Sequence, residues 1–341
     1  MVPIAAASVR AIDAAGALRD SAWREAVKQA SEPLLLRGLV AHWPLVRAGR
    51  ASMPAAIAYL RGYYRDATVG AWFGPPAIRG RFFYNEDLSG FNYQAAMMKL
   101  DAVFEAIERH AQEADPPAVY VGSTTVDTCL PGLRAENDVA GLPDDALASI
   151  WLGNRTRIAA HYDMPENLAC VAVGRRRFTL FPPTELPNLY GGPLEFTPAG
   201  QQVSLVDFED PDPVRFPRFV NAVRNAQVAE MEAGDALYIP GMWWHHVEAL
   251  DAFNVLVNYW WQTVPAWAGA PASVLMHALL SLRLLPPPQR AAWRSMLDHY
   301  VFANDDSATA HIPQRARGVL GALDADRARA LRALLLKQLN R

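Results

Sequence analysis

Cysteine is almost missing from this chain: Cys129 and Cys170 are the only two, and neither sits in a Cys-x-x-Cys pair. That excludes a disulfide scaffold and a thiolate zinc site. No apolar run approaches the roughly 18 residues that a membrane helix needs. The first residues, Met1-Val-Pro-Ile-Ala-Ala-Ala7, lack the basic start and long apolar stretch of a signal peptide. Neither sign of charge is in excess, since 32 Lys and Arg against 35 Asp and Glu leave a net -3. A nucleic-acid binder driven by a basic surface is therefore not expected. Repeats and low-complexity tails are absent too. A cytoplasmic, reducing setting with no membrane partner follows as the expectation.

What is present is ample core. Hydrophobic residues make up 51% of the 341 and charged ones 20%, enough for two domains or one large domain with appendages. Residues 8–32 read as helical, and Pro33–Gly38 as a short buried strand stopped by glycine, with Trp43-Pro44 closing that unit. Thr68–Trp72 and Arg81–Tyr84 suggest strands joined through the turn at Gly74-Pro75-Pro76. Tyr93–Ala114 carries Met97, Met98, Leu100, Val103, Phe104 and Ile107 on one helical stripe.

From Pro116 to about Gln262 the pattern is β. Short runs rich in Val, Ile, Phe and Tyr recur at 118–121, 149–152, 158–162, 168–173, 177–181, 228–231, 236–239, 244–248 and 253–259. Many short strands at such spacing favour a sandwich or barrel. Ser273–Leu285, Gln289–Phe302 and Arg327–Leu339 read as helices, separated by Pro286-Pro-Pro288 and a polar loop near Asn304–Ser307. The expected organisation is an N-terminal α/β segment over 1–115 packing on a barrel over 116–265, then a helical appendage over 266–341.

Two segments carry the chemistry. In His161-Tyr162-Asp163 the first and third side chains share one face of a strand and can grip one ion. A second strand, within Ile239–Val247, brings either His245 or His246. Two imidazoles and a carboxylate with open positions form the ligand set of non-haem Fe(II) oxygenases. Adjacent histidines on a strand point oppositely, and periodicity does not choose between them, because Trp243 and Trp244 stand on both faces. Mn(II), Co(II) and Zn(II) also suit such ligands.

The stretch from His161 to Trp260 resembles the JmjC and cupin-like 2-oxoglutarate oxygenases, particularly the asparaginyl hydroxylase that acts on hypoxia-inducible factor. The matching words are His161-x-Asp163 with Asn167, Gly174 to Pro183 around Arg176, Val206 to Asp212, Gly234 to Pro240, Trp243 to His246, and Val257-Asn258-x-Trp260, in the same order. The resemblance implies a double-stranded β-helix (jelly-roll, JmjC-type) core that is mainly β with flanking helices. It implies Fe(II) on His161, Asp163 and His245, with His246 outside the ligand set, and O2 and 2-oxoglutarate as cosubstrates. Arg176 takes the place of the family's basic residue for the distal carboxylate of 2-oxoglutarate, assisted by Tyr120. Asn167 and Asn258 match asparagines lining the cosubstrate or iron. Where that hydroxylase carries a threonine, this chain has Ile158, so that hydrogen bond to 2-oxoglutarate is expected either to be missing or to come from elsewhere, with Thr156 the candidate. Its peptide-holding Arg-Gln pair falls at about Gln202 and Val203 here. Trp244 and Trp260 are expected to wall the pocket or to pack in the core.

The implied reaction hydroxylates a C–H bond of a protein or peptide side chain, with succinate and CO2 as coproducts. A small metabolite or modified nucleoside is a further substrate class. Lysine demethylation is less favoured, because no histone-reader module or zinc-binding Cys/His cluster accompanies the domain. The rivals are a non-oxygenase cupin, either another metalloenzyme or a sugar-binding module, which would have no need of Arg176, and a silent interaction protein, which would have lost a ligand. The C-terminal helices carry apolar faces (Val274, Leu275, Ala278, Leu279, Leu282; Leu331, Leu334, Leu335, Leu336), expected to pack on the barrel or to form a homodimer.

Overall fold

The computed structural model describes residues 6–15, 22–303 and 305–340. They fall into two compact units divided between Gln262 and Thr263. Among them, no helix is long and apolar enough to cross a membrane.

The first unit is built on fifteen strands: β1 Ala7–Ser8, β2 Arg10–Asp13, β3 Leu34–Arg37, β4 Thr68–Gly74, β5 Arg81–Phe82, β6 Gln94–Lys99, β7 Ala118–Thr125, β8 Leu147–Gly153, β9 Arg157–Tyr162, β10 Glu166–Val173, β11 Arg176–Phe181, β12 Gln227–Met231, β13 Ala236–Ile239, β14 Trp244–Ala249 and β15 Asn254–Trp261. They form a six-stranded sheet in the order β1-β12-β11-β14-β9-β5 and a nine-stranded sheet in the order β2-β3-β13-β10-β15-β8-β7-β4-β6. The expected jelly-roll core is present as the facing four-strand sets β12-β11-β14-β9 and β13-β10-β15-β8, antiparallel throughout.

Alternation of side chains across each strand gives two packed layers. Between the sheets, Phe178, Leu180 and Val247 meet Val171, Leu237 and Leu256. On the outer face of the nine-stranded sheet, Leu168, Cys170, Val255 and Val257 pack against Leu45, Ile57, Leu60 and Phe104 from helices. Two of these helices, Pro44–Ala51 and Met53–Tyr63, lie where the sequence suggested a closing turn. Pro44 occupies the first turn of one, where its missing N–H costs nothing, and Ser52 caps the next by accepting from the Ala55 N–H.

Three expectations are corrected. Within 8–32 the helix covers only Ala22–Gln29, while Arg10–Asp13 pairs in parallel with β3; residues 16–21 lie outside the described residues, as does Asn304. Within 93–114 the helix starts at Leu100, and Gln94–Lys99 pairs instead with β4 as an edge strand that leaves Met97 exposed. β4 and β5 are not a hairpin but belong to different sheets. In the first two cases pairing with another strand overrides a local helical pattern; in the third the strands form, but each pairs within a different sheet.

Taken by itself, the second unit is helical, as expected: Pro271–Ser281, Pro287–Leu297 continuing through a wider turn at Asp298–Phe302, and Ala325–Leu339. Arg332 donates to the Trp267 carbonyl, and Asp324 caps the last helix through the Arg327 N–H.

Gly174 makes the tight reversal between β10 and β11 at φ +76°, and a Cβ there would press on the Asn254 side chain and lie 2.8 Å from the Phe253 carbonyl oxygen. Gly174→Ala is expected to destabilise the protein by about 3 kcal/mol, combining a left-handed φ with overpacking against backbone. Urea unfolding measures it.

Candidate metal centre

His161 lies near the end of β9 and His245 near the start of β14, directly opposite one another in the ladder. From there the register shifts, because Val247 pairs with Ile158 rather than with Ala159. One extra residue in β9 is a β-bulge, and it reverses the strand's alternation. Ile158 and His161 therefore both face the interior. The ring centroids of His161 and His245 are 4.4 Å apart, and His245 Nε2 is 3.6 Å from Asp163 Oδ2. One ligand atom from each of the three residues lies within 4.8 Å of the others.

The tautomers are fixed from behind. His161 Nδ1–H donates to the Ala159 carbonyl at 2.9 Å, and His245 Nδ1–H to the Trp243 carbonyl at 3.0 Å. Each Nε2 is thereby left with its lone pair for a metal, the usual way a ligating imidazole is oriented. Burial, and then the neighbouring His161, hold the His245 pKa down to about 4, so its free nitrogen is unprotonated at neutral pH. The donor set suits a divalent cation.

His246 settles the ambiguity between the adjacent histidines. It points to the opposite face, where its ring lies 4.6 Å from Phe208 and its Nδ1 is buried without a partner. Burial and then the Arg157 charge lower its pKa to about 3.

The triad opens on a cavity of about 500 Å³. Alternation along β11 sends only one of three successive arginines into it. Arg175 pairs outward with Asp251, and Arg177 with Glu230 and Glu248. Arg176 lines the cavity at 3% exposure, with its Nε unpartnered and no carboxylate paired to it among the described residues. Burial lowers its pKa to about 10, leaving it charged at pH 7. Tyr120, also buried and lining the cavity, has its phenol pushed well above the ordinary value by burial, while Arg176 pulls the other way. A buried cation without a counter-charge is costly and is what an anionic ligand would satisfy.

Asn167 and Asn258 line the cavity, and their amides are engaged with protein. Asn167 Nδ2 donates to Asp163 Oδ2 at 3.2 Å and Asn258 Nδ2 to Asn167 Oδ1 at 3.3 Å. Trp260 also lines the cavity and gives its indole N–H to Asp163 Oδ2 at 3.2 Å. Trp244 does not line it, and packs instead on Tyr162. Thr156 is a correction: it is buried ahead of β9, its carbonyl accepts from the Ala249 N–H, and the cavity wall is Ile158. Gln202 turns away to the Gly192 carbonyl, while Val203 bridges to His161 and forms part of the wall. Sequence reasoning missed Trp72, Phe82, Trp151, Ser123 and Gln201, all of them lining. For the four that lie in strands the only signal was parity, which needs the register; Gln201 lies in a loop and carried none.

A family model described as a cupin-like domain matches residues 20–266. The bifunctional peptidase and (3S)-lysyl hydroxylase JMJD7 of Homo sapiens is 27% identical over 68% of this chain and 77% of its own length. The lysine-specific demethylase JMJ31 of Arabidopsis thaliana is 36% identical over 35% of this chain, which spans only 22% of that protein. The tRNA wybutosine-synthesizing protein 5 of Gallus gallus is 35% identical over 31% of this chain and 30% of its own length. A match that runs from residue 20 to 266, taking in β3 to β15 and all three triad residues, places this chain in the cupin-like, JmjC-type family.

Proposed function

We propose that this protein is an Fe(II)- and 2-oxoglutarate-dependent oxygenase that hydroxylates a C–H bond on a protein or peptide side chain. The observation that carries the reading is Arg176, a buried guanidinium without a counter-charge in the same cavity as His161, Asp163 and His245. A metal site alone would suit many cupins, whereas the paired cation fits a dicarboxylate that chelates the metal at one end. Relatives named as a lysyl hydroxylase and a demethylase support a protein substrate.

When bound, iron(II) with 2-oxoglutarate and O2 supplies the oxidising chemistry that turns C–H into C–OH, with succinate and CO2 as coproducts. The chain does the rest. His161, Asp163 and His245 would hold the ion. Arg176 receives the distal carboxylate by charge-assisted hydrogen bonds, with the Tyr120 hydroxyl beside it. Trp72, Phe82, Ile158 and Phe178 keep water from the reacting atoms.

We further propose that the protein acts in a reducing cytoplasm, without nucleic-acid or membrane partners, as a homodimer through its C-terminal helices. The two cysteines are free and buried, which suits that compartment. Leu275, Leu280, Leu284, Leu334 and Leu336 stand exposed in the C-terminal unit, an apolar surface of the kind that partners cover.

Three outcomes test these readings. Anaerobically purified protein given Fe(II), 2-oxoglutarate and air should form succinate, and His161→Ala should abolish it; metal binding without 2-oxoglutarate turnover would favour a non-oxygenase cupin. Arg176→Met should abolish thermal stabilisation by 2-oxoglutarate, yet stabilise the ligand-free protein by about 1 kcal/mol or more, since it removes a buried unpaired charge. Sedimentation equilibrium should show a dimer that Leu280→Glu with Leu284→Glu converts to a monomer; a monomeric wild type would refute the dimer.

A further inference from the structure

We propose that Trp151 is a positioning residue for the metal centre, acting on Asp163 through Asn258 and Asn167; this rests on the metal-binding part of the reading above. Trp151 Nε1–H donates to Asn258 Oδ1 at 2.6 Å. Asn258 Nδ2 donates to Asn167 Oδ1 at 3.3 Å, and Asn167 Nδ2 to Asp163 Oδ2 at 3.2 Å.

The sense of this chain is dictated at both ends. An indole N–H only donates, so Asn258 must turn its carbonyl toward Trp151 and its NH2 toward Asn167. Asn167 must then offer its own carbonyl to Asn258 and its NH2 to Asp163, where an ionised carboxylate only accepts. Neither amide is free to flip. Both asparagines are buried, Asn167 at 5% and Asn258 at 1% exposure, so leaving either amide without its protein partner is costly.

Register explains how the side chains meet. Asn258 faces Ser149 and Leu256 faces Trp151 across β15 and β8, so Trp151 and Asn258 are diagonal neighbours on one face. Asn167 faces Trp260 and Ala169 faces Asn258, giving the same diagonal between β10 and β15. A second donor reaches the same oxygen from Trp260, whose ring stands edge-on to Trp151 at 5.7 Å. The two indoles are thus one packed pair that feeds Asp163 by a direct and an indirect route. Removing the Trp151 N–H leaves the Asn258 carbonyl buried without a donor and frees both amides to reorient. The carboxylate then loses a fixed partner although Trp151 never touches it.

The test is metal binding, independent of turnover. Mn(II) affinity is measured by calorimetry, and the visible spectrum of the Co(II)-loaded protein reports ligand geometry. Trp151→Phe keeps the ring and removes the N–H; it is expected to weaken Mn(II) binding about tenfold, the lower end for loss of such an outer partner, and to shift the Co(II) bands. In an Asn258→Ala background the same change should have no further effect, because the path is already cut. Trp43→Phe is the control. Trp43 is a buried indole whose N–H goes to the Asp138 carbonyl at 3.1 Å, so its loss should lower stability and leave the Mn(II) Kd alone. An unchanged Kd and Co(II) spectrum in Trp151→Phe overturns the relay, as does an equal loss of affinity in Trp43→Phe. If wild type binds neither ion, the metal-centre reading fails and the relay falls with it.

Discussion

Where β9 meets β14, one inserted residue decides which side chains enter the barrel. With unbroken alternation, the face that carries His161 would also carry Ala159 and Arg157 inward. The bulge hands that position to Ile158 and turns Arg157 to the outside, where it bonds Asp207 and Glu209. The cavity therefore holds one guanidinium instead of two. The pairing just before the bulge sets His245 opposite His161, and plain alternation sends His246 to the far face, so the irregularity decides cavity charge and wall chemistry while leaving the ligand pair in register.

Around that strand pair the polar groups are handled in two ways. Asp163 is held by the N–H groups of Asn167 and Trp260, and the backs of both imidazoles are tied to carbonyls. Every protein partner there is made in advance, so an arriving ion meets atoms already aimed at it. Arg176 is the opposite case, its charge buried and its Nε unsatisfied. The folded state bears that cost at the ligand's site, which strengthens a carboxylate's hold once water is displaced.

Much of this was legible in the residues. Strands with β-branched and aromatic runs between Ala118 and Trp261 announced the barrel, and His161-x-Asp163 with the His245-His246 pair announced the metal centre. Arg176 stood out only through the resemblance to the 2-oxoglutarate oxygenases, whose basic residue lies two positions after the glycine matched by Gly174. What escaped depends on register. Nothing local marks Arg10–Asp13 or Gln94–Lys99 as strands, since each is stabilised by a remote partner. Thr156 looked capable of replacing a lost hydroxyl because the bulge that places Ile158 in the wall is invisible in a linear pattern. Trp151 gave no sign of its role, because its role consists of where its N–H points.

The opening residues of the chain have a consequence for how the molecule is made. Ala7 pairs with Gln227, and Arg10 with Leu34 beside a β3 that itself pairs with Leu237 in β13. β1 and β3 thus wait for partners about two hundred residues downstream, and long-range pairing of this kind is slow to form. Until β12 and β13 arrive, β2 and β3 have only each other and β1 has no strand partner, and once the barrel has closed these strands cover one edge of each sheet. A chain shortened at its start would keep every ligand of the metal centre and yet expose β12 and β13 as bare edges, open to pairing with another molecule.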